Sequence, residues 1–211
     1  MSRVAAYQDF RDRLFSGELQ PGQFVTQKEL AELAGVPIAT AREAIQKLEH
    51  ESLLKVHPQR GIQVADITTK FIRDSYGLRR VLELQAVRSF AQEENAETVR
   101  DLIAKTKQVL DTVQLRSDEE FLEKAVEVDW EMHDQIIACM RNELLTEAYQ
   151  INAARLRLIK VSNRMTHKRA IDALGEHLGI LQSCLDGDGE AAARALDEHI
   201  DIATNRALQG K

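Results

Sequence analysis

Two short amphipathic segments, TQKELAELAG (Thr26–Gly35) and IATAREAIQKLEHE (Ile38–Glu51), are joined only through Gly35-Val36-Pro37. So short a connection leaves two helices little choice but to pack across one another, the helix-turn-helix arrangement. Thr26 and Glu29 form a capping-box pattern at the start of the first, and Gly35 is a stop signal at its end. Upstream, a helix is expected over Ala5–Ser16, ending at Gly17, followed by a turn in LQPGQ with Pro21-Gly22 as its punctuation. Downstream, LLKVH and IQVA alternate as strands around PQRG, a hairpin tip. Helix, helix, second helix of the turn motif and hairpin, in that order, make a winged helix-turn-helix.

The rest of the chain has a different character. All three prolines (Pro21, Pro37, Pro58) fall in the first 60 residues, and the last strand-like stretch, GIQVA, ends at Ala65. Beyond Thr68 the pattern is of long helices, near 69–92, 95–115, 118–140, 143–166, 168–186 and 189–208. Breaks fall at EENAE, RSDE, RNE, MTHK and DGDGE, and Ser117 with Glu120 repeats the capping-box pattern. The expected fold is mainly α, with a winged helix-turn-helix over residues 1–67 followed by an all-α helical bundle over 68–211.

Charge follows the same division. Residues 1–65 hold 8 basic and 8 acidic side chains of the chain's 28 and 34, so the net charge of −6 lies wholly in the remainder. That balance argues against a nonspecific nucleic-acid coat but is compatible with a local DNA-reading face, which needs clustering and not a basic average. No apolar run approaches a membrane span, and the charged, amphipathic start does not read as a signal peptide. Cys139 and Cys184 form no CxxC pair and sit in apolar helical surroundings, as buried thiols of a cytoplasmic protein would.

Within the first segment, Arg42 falls on the early turns of the second helix of the motif, where a guanidinium can reach guanine or phosphate, with Thr40 beside it. Gln59 and Arg60 fall at the hairpin tip, within reach of phosphate or the minor groove. The string GELQPGQ…LAELAGV…AREAIQKLE…LLKVHPQRGIQV resembles the DNA-binding domain of the GntR family of bacterial transcriptional regulators over nearly all of residues 8–65. The resemblance implies a further DNA contact from Lys28. It departs from the family where the second helix opens: a Ser-Arg-Thr-Pro type sequence is usual, and here stand Pro37, Ile38, Ala39 and Thr40, while Arg42 keeps its place in the family's Val-Arg-Glu motif. The departure bears on the operator sequence and not on DNA binding itself.

The helical segment poses a question of its own. Asp129 and His133, four residues apart, lie among Leu122, Ala125, Val126, Ile136, Ile137 and Met140 at helical spacing. His177 stands in an apolar stripe of Ala170, Leu174, Leu181 and Cys184, and His199 in one of Ala192, Ala195, Leu196, Ile202 and Ala203. A lone charge on such a face costs several kcal/mol or neutralises. One acid and three imidazoles pointing inward from three helices suit a divalent metal, one per chain, with zinc the leading choice and nickel or manganese as alternatives. The competing reading is that each histidine is a separate, hydrogen-bonded core residue.

This pattern resembles the FCD effector domain of the FadR branch of GntR regulators, over about residues 70–205. Asp129-x-x-x-His133, His177 in EHLGI and His199 in DEHI match its metal motif; RNELL matches through Asn142, and RRVLE through Arg79 and Glu83. Six helices in place of seven are nearer the VanR type. Four protein ligands leave a six-coordinate ion with open positions, which a small organic acid could fill as effector with Arg79 as its counter-charge; Asn142 is the second candidate effector contact. For Arg79, a surface salt bridge to Glu83 is the alternative.

The expected protein is a ligand-responsive transcriptional regulator. It would act as a repressor of a metabolic operon, binding a near-palindromic operator as a homodimer. A metalloenzyme and a metal sensor are the rival readings of the same site. Against the enzyme, Glu131 leaves the face of Asp129 and His133, and Trp130, Leu174 and Leu196 stand where a Glu-x-x-His motif would need glutamate.

Overall fold

The computed structural model describes residues 3–113, 118–163 and 165–210. The described chain divides into two compact units. One holds the chain up to Ser75 together with the stretch from Gln150; the other holds Tyr76–Tyr149 and Met165–Gln209.

The first unit contains the winged helix-turn-helix. Helix α1 (Arg3–Ser16) buries Ala6, Phe10 and Leu14, one residue per turn. In α2 (Gln27–Leu33) the capping box is formed: the Glu29 amide donates to the Thr26 hydroxyl at 3.1 Å, and the Thr26 amide to the Glu29 carboxylate at 2.6 Å. Gly35 ends it at φ 61°, and the Gly35 and Val36 amides close back onto the Glu32 and Ala31 carbonyls, a left-handed cap that glycine adopts without a Cβ penalty. Helix α3 (Ile38–His50) turns Ala41, Ala44, Ile45 and Leu48 inward at i, i+3, i+4, i+7 spacing.

The wing is a hairpin of β2 (Leu54–His57) and β3 (Gly61–Val64), in a register that pairs Val56 with Ile62. A third strand, β1 (Phe24–Val25), was not anticipated from the sequence. It pairs with β3, which becomes the middle of the sheet. Two residues are too few for alternation to register. Gly61, at φ 99°, is required there: a Cβ would lie 2.8 Å from the Val25 carbonyl oxygen. The second half of α7 (Glu143–Ser162) belongs with this unit, through Arg155 Nε on the Glu51 carbonyl at 2.9 Å and Asn152 on the Ser75 carbonyl at 2.9 Å.

The remaining long helices are α4 (Thr69–Phe90), α5 (Ala96–Asp111), α6 (Asp118–Ala138), α8 (His167–Leu185) and α9 (Gly189–Gln209), with a 3-10 turn at Glu93–Asn95. Together with α7 they are the six helices expected. The Ser117–Glu120 cap lies outside the described residues. In the second unit α8 is the hub, packed by α5, α6 and α9. Val109, Phe121, Ala125, Val128, Ala170 and Leu174 form one apolar cluster there. Helix α6 is apolar around more of its girth than one stripe. Ile136 and Ile137 are buried but Leu122 and Val126 only partly so, and Val128, Trp130 and Met132 are buried as well. The α8–α9 break in DGDGE is closed by Asp188, whose carboxylate accepts from the Ala191 amide at 2.8 Å.

Candidate functional site

The second unit brings all three predicted histidines together. His133 of α6, His177 of α8 and His199 of α9 each offer a ring nitrogen, and these atoms lie within 4.8 Å of one another. The three residues are 0%, 1% and 5% exposed. His177 Nε2 and His199 Nε2 are 3.3 Å apart. Asp129 is buried beside them, its Oδ1 3.6 Å from His177 Nε2, but outside the mutually close group of three nitrogens.

A fourth helix completes the site. From α4, Glu83 faces His133 Nδ1 at 2.8 Å, and Arg79 Nε donates to the other oxygen of Glu83 at 2.9 Å. The Arg79–Glu83 contact is thus the i, i+4 pair allowed for above, but it is buried, not on the surface: the side chains are 2% and 0% exposed. On the opposite flank, Glu176 of α8 faces His199 Nδ1 at 2.7 Å and is contacted by Arg206 of α9 at 3.3 Å. Each arrangement is a carboxylate holding one imidazole nitrogen, which assigns the proton to Nδ1 and turns the Nε2 lone pair inward. Sequence reasoning named Glu83 only as part of a motif and missed Glu176 and Arg206. Glu176 directly precedes His177, so it was a candidate by adjacency alone; its partner is the histidine of the next helix.

Electrostatics favour neutral, ligand-ready imidazole at His133: burial holds it well below its ordinary value, helped by the nearby Arg79 charge. Burial pushes the Glu83 carboxyl above its usual value, against the pull of Arg79. For Arg79, burial opposes the charge, but Glu83 and then Asp129 overcome it and raise its pKa. Tyr149 of α7 is buried close by, its hydroxyl raised by burial and by the Glu83 charge.

The donor set passes a metal test. Ligand nitrogens about 2.0–2.1 Å from a tetrahedral ion stand about 3.3 Å apart, the spacing of the His177 and His199 nitrogens. Among the buried polar atoms with no hydrogen-bond partner in the described residues are two of opposite kind on these helices. His133 Nε2 is an acceptor by the tautomer above, and Arg79 Nη2 is a donor. An uncompensated buried group of this kind is costly.

Asn142 is used differently. Its carboxamide oxygen accepts from the Leu145 amide at 3.1 Å and caps α7, and the residue is exposed. That cap is a structural reason for asparagine in RNELL.

The predicted DNA contacts all lie in the first unit. Arg42 is exposed on α3 and lines a shallow concavity with Gln46, His57 and Gln59 between that helix and the wing. Gln59 sits at the wing tip at φ 63°. The Arg60 guanidinium lies over the Phe24 ring, 5.2 Å from its centroid. Lys28 is exposed at the start of α2, 3.7 Å from Glu32, and Thr40 is half-buried on α3. Lys28, Thr40 and Arg60 do not line that concavity.

The chain thus combines a winged helix-turn-helix with a set of helices that holds a buried, metal-competent histidine cluster. Residues 3–64 match the bacterial regulatory proteins, gntR family, and residues 74–202 match the FCD domain. The chain belongs to the GntR family and carries an FCD domain; it is a transcriptional regulator and not an enzyme. It is 24% identical over 195 residues to the HTH-type transcriptional regulator YdhC of Bacillus subtilis, covering 92% of this chain and 86% of that protein. It is also 24% identical over 185 residues to the HTH-type transcriptional repressor RspR of Escherichia coli, covering 86% and 78%. In fold it is similar to a GntR regulator from Rhodococcus sp. RHA1, with a TM-score of 0.78 at 22% identity over 98% of this chain and 97% of that one. The Zn2+-bound FCD domain of TM0439 gives a TM-score of 0.56 at 20% identity, over 69% of this chain and 96% of that one. No helix among the described residues is long and apolar enough to cross a membrane.

Proposed function

We propose that the protein represses a metabolic operon in the cytoplasm, reading a near-palindromic operator as a homodimer through residues 1–67. Its DNA affinity is set by a small organic acid bound at a metal in residues 68–211. The observation that carries this reading is the buried cluster of His133, His177 and His199 nitrogens, with the His133 Nε2 lone pair and the Arg79 Nη2 donor each buried without a hydrogen-bond partner. His133, His177 and His199 would hold a divalent ion, zinc first and nickel or manganese otherwise, with Asp129 as the fourth protein ligand. The ion would supply a Lewis-acidic anchor for a carboxylate. The Zn2+ bound by the FCD domain of TM0439 supports the choice of metal, and the repressor RspR the sign of regulation.

The charges explain the choice of an acid. Three neutral imidazoles and one aspartate offset only half of a divalent charge, while Glu83 and Glu176 are each matched by an arginine. A carboxylate would accept from Arg79 Nη2. Asn142, occupied as a cap, is the weaker effector contact of the two predicted.

On the DNA side, Arg42 would contact a base, with Thr40, Lys28, Gln59 and Arg60 on phosphate or groove edges. Arg42→Ala is expected to lose about 1–3 kcal/mol of specific operator binding while the helical bundle keeps its fold and metal. A gel-shift titration at fixed salt checks this. Unchanged affinity would remove Arg42 from the interface.

A further inference from the structure

The first turn of α3 turns apolar side chains outward. Ile38 is 51% exposed and Ala39 is exposed, whereas the helix buries Ala41, Ala44, Ile45 and Leu48 on its other side. The backbone that presents them is pinned. Pro37 sets φ at −59° just before the helix, the Ala41 amide donates to the Pro37 carbonyl at 3.1 Å, and the Gln27 side chain donates to the Ile38 carbonyl at 3.0 Å. Ile38 is therefore a branched aliphatic group held in place at a helix N-terminus, not a side chain on a loose end.

Its neighbour on the same face is Arg42, four residues on, so the two Cβ atoms are about 5–6 Å apart. That is between one and two base steps of about 3.4 Å. In the major groove the one apolar feature of a base edge is the thymine C5-methyl group. We infer that Ile38, with Ala39 beside it, contacts a thymine methyl one or two base pairs from the base read by Arg42. The operator half-site then carries a required thymine next to the Arg42 position, read by apolar contact alone. The inference rests on α3 being the helix that enters the groove.

The test uses the full-length protein and duplexes it selects from a randomised pool. Each thymine of the selected duplex is replaced in turn by deoxyuridine, which removes the methyl group and leaves every hydrogen-bonding group in place. Wild-type affinity is expected to fall about fourfold at one thymine per half-site, the effect of one buried methyl group. Ile38→Ala, a change at an exposed position, is expected to bind the thymine and deoxyuridine duplexes equally while still requiring the Arg42 base. The inference is overturned if no thymine of the half-site is sensitive, or if Ile38→Ala keeps the wild-type sensitivity. Selection of no preferred duplex would overturn it together with the proposed DNA-reading function; a preferred duplex insensitive to deoxyuridine would overturn it alone.

Discussion

Wild-type protein is expected to purify with about one divalent ion per chain, and the His177→Ala and His199→Ala variants with much less. These two rings supply the pair of nitrogens already at ligand spacing, 3.3 Å apart, and loss of either leaves a divalent ion too few donors in a buried site. A graded effect is expected one bond further out. Glu83 and Glu176 hold His133 and His199 by Nδ1, so Glu83→Gln and Glu176→Gln should weaken metal binding by roughly 10- to 100-fold without abolishing it. Elemental analysis of protein prepared without chelator, with competition against a chromophoric chelator, separates the two classes of variant. Wild type that neither carries metal nor takes it up would favour three separate core histidines.

The second large effect is on stability. Arg79→Ala should destabilise the helical unit by about 3–5 kcal/mol, because it leaves the Glu83 carboxylate buried without its counter-charge. The pair itself is not worth that much: two charges taken from water recover little more than they lose. Arg79→Met combined with Glu83→Gln should therefore regain much of the loss, while remaining deficient in metal and in acid binding. Denaturant unfolding of the three proteins measures this. A single-variant loss under about 1 kcal/mol would mean that the pair behaves as an exposed one does.

These contacts also mark how far the sequence could be read. The winged domain was legible because its signals are local: a capping box, a glycine stop and a hairpin tip each act within a few residues. Six helices were legible from their breaks. The histidine cluster was legible because an imidazole on an apolar stripe conflicts with its surroundings, and three such conflicts point to one cause. Strand β1 escaped because two residues carry no period and its partner is about 40 residues away at Gln63 and Ile62. Glu176 and Arg206 escaped because on a sequence they read as ordinary charged residues at the edge of a helix face. Only the packing of α8 on α9 turns Glu176 toward His199. Arg79 left two readings open for the same reason. Its spacing to Glu83 is equal in a surface pair and a buried one, and burial is settled by neighbours that the local pattern does not contain.

The central claim is that acid bound at the metal changes DNA affinity. It is tested most directly by measuring operator affinity with and without small mono- and dicarboxylates, in metal-loaded and metal-stripped protein. A ligand moves this equilibrium only through its differential affinity for two states of the protein, and such couplings are commonly about 1–3 kcal/mol. The expected result is a change in operator affinity of roughly 5- to 150-fold with one class of acid, in the metal-loaded protein only. The same change in stripped protein, or an acid that binds the loaded protein tightly and leaves operator affinity where it was, would contradict it.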